Sequence, residues 1–390
     1  MYIVFWICFI IIMYSYFGYP LLIYTAHVII KSFFGKTDAR NEKFEPEVTL
    51  LIAAYNEIDF LNKKIANSNA LNYPKEKLHQ IWITDGSDDG TPQALKKYPH
   101  IKVYHKPERS GKIGAINRAM RYVKTSIVIF SDANSQLNKE AVKNIVREFS
   151  NPKVGCVAGE KRVVTKSKDN AVNFGEGFYW RYESFLKTCE STVNSALGAV
   201  GELFAIKTKL FEEIKPDTIL DDFTISLKIA QKGYTIKYTP EAYAVENASV
   251  NISEELKRKN RIAYGGFQAM SRLKELFNIF KHPMLTFQFI SHKVIRWTIV
   301  PFSFFFIFLA NFYIICFENR IDLYDYLFYT QLIFYIVVII GAVLQSRKTN
   351  FKFIFAPYYL FIMNLSEVIG LIRFIRKKQS VNWERAKREQ

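Results

Sequence analysis

Between about residues 45 and 250, short apolar runs alternate with longer polar stretches, whereas both ends of the chain are apolar over much longer distances. Apolar runs rich in β-branched and aromatic residues predict strands in the middle part, at 48–54, 81–83, 101–104 and 127–130. The stretches that separate them predict helices, one ending near residue 70 and others at about 92–97, 113–123 and 139–149. Alternating strands and helices are typical of an α/β domain with a mostly parallel sheet.

Three of the predicted strands run out into polar residues at their carboxyl ends. Tyr55 and Glu57 follow the first strand, Asp85 ends the second, and Asp132 follows the fourth. Because ligands of open α/β sheets bind outside the carboxyl ends of the strands, we expect these side chains at one site. A polar β-turn would explain the loop after Asp85 taken by itself. Three such ends at one edge of the sheet favour a ligand site.

The loop after the second strand is acidic and contains two glycines. Gly86 and Gly90 allow a sharp turn and a close approach of the backbone to a ligand. Asp85, Asp88 and Asp89 repel one another unless a cation or hydrogen-bond donors meet them. This loop therefore predicts a cation or a set of donors at the edge of the sheet.

The segment 109–114 is a basic, glycine-containing loop that opens a predicted helix. A helix N-terminus beside Lys112 suits a phosphate or diphosphate. The phosphate loop GxxxxGK[ST] and the dinucleotide fingerprint GxGxxG are both absent from the sequence. Asp85 and Asp132 suit a divalent cation that bridges a diphosphate. The residues together indicate a metal-assisted site for a nucleotide diphosphate.

The first 30 residues contain no Lys, Arg, Asp or Glu and are long enough to cross about 30 Å of hydrocarbon. A buried core helix is the alternative interpretation. Lys31, Lys36 and Arg40 follow this segment. By the positive-inside rule, the domain that comes next is expected in the cytoplasm.

Two uncharged segments near the other end, 297–317 and 326–346, predict further membrane helices. A third candidate, 353–372, contains Glu367 and precedes a strongly basic tail at 377–390. Full spanning would carry that tail outside, against the charge rule, so a spanning and a re-entrant or interfacial placement both stay open. Glu367 in a spanning helix would need a partner or a water-filled channel.

Composition narrows the classes of function. A net charge of +17 combined with 49% hydrophobic residues fits a protein on an anionic membrane better than a nucleic-acid binder. The four cysteines include no CxxC pair, so we predict neither a zinc site nor a disulfide framework.

A set of short motifs within about 48–270 resembles the inverting, membrane-bound members of glycosyltransferase family 2, which include bacterial polysaccharide and poly-N-acetylglucosamine synthases. The resemblance implies a GT-A nucleotide-sugar domain flanked by membrane helices, and it implies Mg²⁺ or Mn²⁺ as cofactor. The matching motifs are Ala53–Glu57, Asp85–Thr91, Gly111–Lys112 with Asn117, Asp132–Asn134, Gly201–Glu202 and Leu220–Asp222.

The resemblance also implies roles for single residues. Lys112 is expected near the diphosphate, and Asp132 is expected to bind the metal. Asn134 stands where the second acid of the family's metal motif often lies. Asp222 matches the catalytic base of the family. The residues that match the family's nucleobase and ribose site are Ala53, Tyr55, Glu57 and Asp85.

The residues expected on the acceptor and diphosphate side are Gly201, Glu202, Asp221, Arg258 and Arg261. Asp221 and Asp222 start a predicted helix, where two acids stabilised by the helix dipole are the alternative. Processive relatives carry Gln-x-x-Arg-Trp near 258–262, and Arg261 is the residue that clearly matches it. Arg258 fits equally well on a basic helix that lies on an anionic membrane surface.

We therefore predict inverting transfer of a sugar from a nucleotide-diphosphate sugar, by resemblance a UDP-sugar, to a lipid-linked or polysaccharide acceptor at the cytoplasmic face of the cell membrane. A processive synthase that secretes its polymer is one alternative, and a non-catalytic nucleotide sensor or scaffold is another. The oligomeric state stays open. The expected segments are a membrane helix (1–30), a GT-A domain (45–250), interfacial helices (251–296), a membrane region of two to three helices (297–376) and a basic tail (377–390).

Overall fold

A computed structural model describes residues 1–35, 43–164, 171–247, 252–318, 322–345 and 352–379. Lys36, Arg40 and the part of the predicted basic tail from residue 380 onward lie outside these ranges. The strands are β1 (Val48–Ala54), β2 (Leu78–Asp85), β3 (Ile101–Lys106), β4 (Ile127–Asp132), β5 (Gln136–Leu137), β6 (Val154–Val164), β7 (Leu203–Lys207) and β8 (Thr235–Asn247). The helices are α1 (Tyr2–Met13), α2 (Tyr19–Phe34), α3 (Ile58–Asn69), α4 (Thr91–Leu95), α5 (Gly111–Met120), α6 (Ala141–Glu148), α7 (Ala171–Val193), α8 (Asp221–Gln231), α9 (Ile252–Arg272), α10 (Pro283–Phe289), α11 (Ile295–Phe317), α12 (Asp322–Gln345) and α13 (Lys352–Ile375).

The strands form one mixed sheet in the order β3-β2-β1-β4-β7-β6-β8-β5. β1 pairs in parallel with both β2 and β4, and β2 pairs in parallel with β3. This half confirms the parallel α/β pattern and brings the carboxyl ends of β1, β2 and β4 to one edge. The other half is mixed, because β7 runs antiparallel to β4 and β6.

Apolar side chains cover both faces of the sheet, which is why its strands are almost continuously hydrophobic. One face packs against α3 and α6 through side chains such as Leu61 and Ile145. The opposite face packs against α5 and α8, and also against α9 through Phe267 and α10 through Phe289. The helices that follow the sheet in the chain therefore complete the core of the domain that holds the site.

Four helical segments are long and apolar enough to cross a membrane: Tyr2–Phe33, Pro283–Phe317, Asp322–Leu344 and Ile354–Ile375. The first contains a π-helical turn at Tyr14–Gly18 between α1 and α2, and the second contains one at Ile290–Val294 between α10 and α11. The two turns face each other, since the Tyr14 hydroxyl lies 2.8 Å from Oγ of Ser291. α1 packs on α11, α2 on α7, and α13 on α9, so the apolar helices pack directly on the domain.

The apolar residues of 193–206, interrupted by glycines, predict a glycine-broken strand, but only the last part of this segment forms one. The strand begins only at Leu203, and the residues from 194 to 202 form an irregular loop. Gly198 has φ +85°, and a Cβ there would lie 2.3 Å from the ring of Phe223. The backbone N–H of Ala199 donates to Oγ of Ser226 at 3.0 Å, which holds this loop against α8.

Candidate active site

The end of β2 delivers Asp85 into a shallow cavity at the edge of the sheet. The backbone N–H of Ser110 donates to its carboxylate at 2.8 Å, and a guanidinium nitrogen of Arg118 lies 3.8 Å away. Arg109 stacks on the ring of Tyr55 at 3.8 Å and closes one side. The structure brings together every residue predicted for the donor site, since the cavity is lined by Ala53, Tyr55, Glu57, Asp85, Lys112 and Asp132.

The three acids of the loop after β2 have different surroundings. Asp88 accepts a hydrogen bond from the side-chain amide of Asn56 at 2.8 Å. Asp89 accepts from the backbone N–H of Ile58 at 3.0 Å and from the hydroxyl of Thr91 at 2.6 Å. Burial opposes ionisation of Asp89, but these donors outweigh it and lower its pKa. Hydrogen-bond donors thus satisfy Asp88 and Asp89, and Asp85 is the acid that lines the cavity.

The loop after β2 requires glycine at position 86. The φ of Gly86 is +68°, a left-handed conformation that other residues adopt at a cost. A Cβ at Gly86 would also lie 2.8 Å from Cβ of Arg109. The turn therefore brings the two loops around Asp85 into direct contact.

Lys112, in the first turn of α5, lies among three carboxylates. Its ammonium donates to Oδ1 of Asp132 at 2.8 Å and lies 3.5 Å from Oδ2 of Asp221. Burial disfavours the charged ammonium, but Asp132, Asp221 and Asp222 outweigh burial and raise the pKa of Lys112 above its usual value. The site therefore holds a positive charge at the position where the sequence predicts a diphosphate.

Asp221 and Asp222 form the first turn of α8, as the helical period predicts. Oδ1 of Asp222 accepts from the backbone N–H of Phe223 at 2.8 Å. Burial, and then the neighbouring charge of Asp221, raise the pKa of Asp222 to about 7. A carboxyl group with a pKa near neutrality is suited to accept a proton from a hydroxyl.

Gly201 leaves space at the centre of this cluster. A Cβ at Gly201 would lie 3.2 Å from Nζ of Lys112, 3.5 Å from Oδ2 of Asp222 and 3.9 Å from Oδ2 of Asp132. A side chain here would fill the region between the ammonium and the two carboxylates. The absence of a side chain at position 201 therefore lets the ammonium and the two carboxylates come close to one point beside the backbone.

The carboxyl end of β4 contains oxygen atoms that fit a divalent cation. The side-chain amide nitrogen of Asn134 donates to Oε1 of Glu246 at 3.1 Å, which fixes the orientation of the amide. Within the described ranges, the buried Oδ1 of Asn134 accepts no hydrogen bond. Asp132 supplies a carboxylate two residues earlier. The same described residues contain no cluster of three or more His, Cys, Asp or Glu side chains suited to a metal ion. The pair fits a cation that takes its remaining ligands from substrate oxygens and water.

The residues predicted on the acceptor side divide into two groups. Glu202 is ion-paired with Lys161, and this pair outweighs burial and lowers the pKa of Glu202. Arg258 donates to Glu255 on its own helix at 3.0 Å. Asp221 and Arg261 retain unused polar atoms, since Oδ2 of Asp221 and Nε of Arg261 are buried and make no hydrogen bond to any described residue. These two atoms are buried hydrogen-bonding positions that no described residue uses, and Oδ2 of Asp221 faces the Lys112 ammonium at 3.5 Å.

Comparison with known proteins agrees with this geometry. The family model described as glycosyl transferase family 2 matches residues 49–214. The poly-β-1,6-N-acetyl-D-glucosamine synthase of Staphylococcus aureus (strain MSSA476) is 28% identical over 246 residues, which is 60% of this chain and 57% of that protein. The family 2 model thus covers less than half of the chain, and the matched part is the one that carries Asp85, Lys112 and Asp132.

Two further proteins are similar to this chain. The β-monoglucosyldiacylglycerol synthase of Synechocystis (strain ATCC 27184 / PCC 6803 / Kazusa) is 28% identical over 243 residues, 57% of this chain and 48% of that protein. The solved structure of a mannosyltransferase from Pyrobaculum calidifontis, in complex with GDP-Man and Mn²⁺, matches with a TM-score of 0.71. Its sequence is 23% identical, and the match covers 96% of this chain and 100% of that one, which establishes the shared GT-A fold.

Sequence reasoning missed two lysines, Lys64 and Lys161, that hold residues of the site in place. The ammonium of Lys64, fully buried, donates to Oγ of Ser131 at 2.7 Å and to the carbonyl of Ser135 at 2.8 Å. Lys161 bridges Glu202 and Glu246, and Glu246 in turn orients Asn134. The sequence contains one weak indication of this burial, since Lys64 lies on the same face of α3 as the buried Leu61.

Proposed function

We propose that this protein transfers a sugar, with inversion at the anomeric carbon, from a nucleotide-diphosphate sugar to a hydroxyl group of a lipid-linked or polysaccharide acceptor. The observation that carries the proposal is that the Lys112 ammonium and the Asp222 carboxylate lie within 3.5 Å of one point, the position that a Cβ of Gly201 would occupy. A leaving diphosphate needs a positive charge, and an attacking hydroxyl needs a base. The site offers both beside one cavity.

In this mechanism, the donor cavity around Asp85 and Tyr55 holds the nucleoside, and Lys112 contacts the diphosphate. Asp222 accepts the proton of the acceptor hydroxyl as that oxygen attacks the anomeric carbon. Inversion in a single displacement requires no covalent nucleophile. Mg²⁺ or Mn²⁺, held by Asp132 and Asn134, would neutralise charge on the departing diphosphate.

The remaining site residues take supporting roles in the proposal. Ala53 and Glu57 complete the wall of the donor cavity. Gly201 and Asp221 border the acceptor, and Arg261 lies on the same side. Burial lowers the pKa of Arg261, and the charge of Asp221 opposes this effect. Glu202 and Arg258 are proposed on the same side, with Glu202 positioned by Lys161. A UDP-sugar is the proposed donor, because the sequence motifs resemble those of the family's UDP-sugar enzymes.

We place the domain at 45–250 in the cytoplasm, between a membrane helix at 1–30 and the helices of 297–376, with 251–296 at the interface. Lys31 in the last turn of α2 supports this orientation. The named activity of the Synechocystis relative supports a lipid acceptor, and that of the Staphylococcus relative supports a glycan acceptor.

The test uses detergent-purified protein with a panel of UDP- and GDP-sugars, with Mn²⁺ or Mg²⁺, and with or without membrane lipid extract. Nucleotide release is measured beside Asp222→Asn and Asp132→Ala. Metal-dependent release of one nucleotide, lost in both variants, is the expected result. Nucleotide binding without turnover of any donor would favour a non-catalytic sensor.

A processive synthase is the second candidate, supported by the name of the Staphylococcus relative. Product length distinguishes the two. A single added sugar on each acceptor supports single transfer, whereas long products at low acceptor turnover support polymerisation.

A further inference from the structure

A second cavity of about 670 Å³ lies among the apolar helices, away from the donor site. Its volume is within the range of ligand-binding pockets. The walls come from the N-terminal helical segment, α7, α11, α12 and α13. Much of the lining is hydrocarbon, as represented by Ile12, Phe17, Phe304, Phe334 and Met363.

Three of the four tyrosines that line this cavity present mainly carbon to its interior, because protein groups already bind their hydroxyls. The Tyr182 hydroxyl donates to the carbonyl of Tyr16 at 3.3 Å. The Tyr16 hydroxyl accepts from the side-chain amide of Asn364 at 3.1 Å. The Tyr359 hydroxyl donates to Glu255 at 3.4 Å. A glycan in this cavity would lose hydrogen bonds to water along most of its length without replacing them.

Polar groups are concentrated in a small part of the lining. Arg296 donates to Glu183 at 2.8 Å through one of its nitrogens. Oε2 of Glu367 is buried and, in the part of the chain that the structure describes, has no hydrogen-bond partner. A buried carboxyl oxygen without a partner is costly, and a hydroxyl donor would satisfy it.

The polar part of the cavity adjoins the proposed base. Trp297, which lines the cavity next to Arg296, has its ring centroid 5.6 Å from that of Phe223. Phe223 directly follows Asp222 in α8. The polar end of a molecule in the cavity would therefore lie beside Trp297, whose ring contacts the residue next to Asp222, the proposed base.

The cavity is also accessible from the apolar surface. Phe17 and Phe178 line it and are 64% and 59% exposed. They belong to two different helices, the N-terminal segment and α7. A lipid could therefore enter sideways between these helices from a surrounding bilayer.

We propose that this cavity binds the hydrocarbon chain of a neutral membrane lipid and that the free hydroxyl of this lipid is the sugar acceptor. The proposal rests on the proposed function and names its substrate class. In the reaction, the bond from the anomeric carbon to the diphosphate breaks and a bond to the lipid oxygen forms. The diphosphate leaves with the bonding electrons, and the hydroxyl proton goes to Asp222. An acceptor phosphate would be ionised and would have no proton to give this base.

The test compares two tryptophan substitutions on one helix. Ala356 lines the cavity and is exposed, so Ala356→Trp fills the space. Leu365 is 42% exposed on the same helix and does not line the cavity, so Leu365→Trp is the matched control. Wild type and both variants are reconstituted in phosphatidylcholine nanodiscs with or without diacylglycerol. Sugar incorporation into lipid is measured, and nucleotide binding on the same preparations reports whether each variant is folded.

We expect diacylglycerol to be glycosylated by wild type and by Leu365→Trp, and the apparent KM for the lipid to rise at least tenfold in Ala356→Trp. A photoreactive diacylglycerol should label peptides from the N-terminal segment and α13 in wild type and not in Ala356→Trp. Unchanged lipid glycosylation in folded Ala356→Trp, or label displaced by a soluble oligosaccharide, overturns the inference and leaves the proposed function intact. Labelling without turnover of any nucleotide sugar supports the lipid site and refutes the proposed function.

Discussion

Replacing Asp222 with asparagine removes the proposed base and keeps the size of the side chain. A positioned base contributes about 10²–10⁴-fold to such a step, so we expect kcat to fall by that factor. At about 1.4 kcal/mol for each tenfold change, the loss corresponds to roughly 3–5 kcal/mol of transition-state free energy. Nucleotide binding should change less, because the donor cavity is built around Asp85 and Asp132.

The pKa of Asp222, raised to about 7 by burial and by Asp221, predicts the pH dependence of the wild-type rate. A base works in its ionised form, so the rate should rise with pH through about 7. About a tenth of the carboxyl groups are ionised at pH 6 and about nine tenths at pH 8, which predicts a roughly tenfold difference in kcat. Asp222→Asn should lose this rise.

The thermal stability of Asp222→Asn provides a second check, because it should rise while the activity falls. Because the pKa is higher in the folded than in the unfolded chain, the stability that Asp222 contributes falls as pH rises between about 4 and 7. Keeping the carboxylate ionised in the folded state costs up to about 4 kcal/mol. Without donor and metal at pH 8, Asp222→Asn should therefore melt at a higher temperature than wild type. Lower activity in a more stable protein separates catalysis from folding.

The assay is the initial rate of nucleotide release at saturating donor, Mn²⁺ and lipid extract, from pH 5.5 to 8.5. Asp217→Asn is the matched control, because Asp217 is a surface acid paired with Arg272 near the start of the same helix. Its rate and pH profile should equal those of wild type. An Asp222→Asn rate within threefold of wild type at pH 8, or a retained rise through pH 7, would refute the assignment of the base.

Three further predictions concern the supports of the donor site. Asn134→Leu should raise the Mn²⁺ concentration needed for half-maximal activity by about tenfold, while Asn134→Asp should not, as measured by metal titration. Gly86→Ala should weaken nucleotide binding about tenfold in calorimetry, because the left-handed backbone and the contact with Arg109 cost about 1–2 kcal/mol; unchanged affinity would contradict this. At pH 10, Lys64→Met should lose about 1–3 kcal/mol of stability, since it leaves the Ser131 hydroxyl without its donor. Burial lowers the pKa of Lys64 to about 7, so wild-type stability from this group rises with pH from about 7 to 10, and the variant's melting temperature should lack that rise.

The strand ends of the site could be predicted because each is a local pattern. Asp85 and Asp132 follow short apolar runs, and a run that stops at a polar residue marks the end of a buried strand. Asp222 could be placed at a helix start because the apolar residues after it recur at helical spacing. Parallel pairing then brings β1, β2 and β4 to one edge without further information.

The residues that hold the site residues in position could not be predicted, because their burial depends on partners far away in the sequence. Lys161 is buried only because Glu202 and Glu246 meet it from two other segments. The direction of β7 was equally inaccessible, since the apolar pattern of a strand is the same in a parallel and an antiparallel pair. The loop before it looked like a strand because buried loop residues are also apolar.

The two π-helical turns affect how the long apolar helices tolerate insertions and deletions. A π turn holds one residue more than an α turn. Deleting one residue within Ile290–Val294 would let the helix become regular, and every later side chain would keep its place. The same deletion one turn further on would rotate the rest of the helix by about 100° and carry Phe304 out of the cavity. Each π turn is thus a site where the length of the chain can change while the helices on both sides keep their orientation.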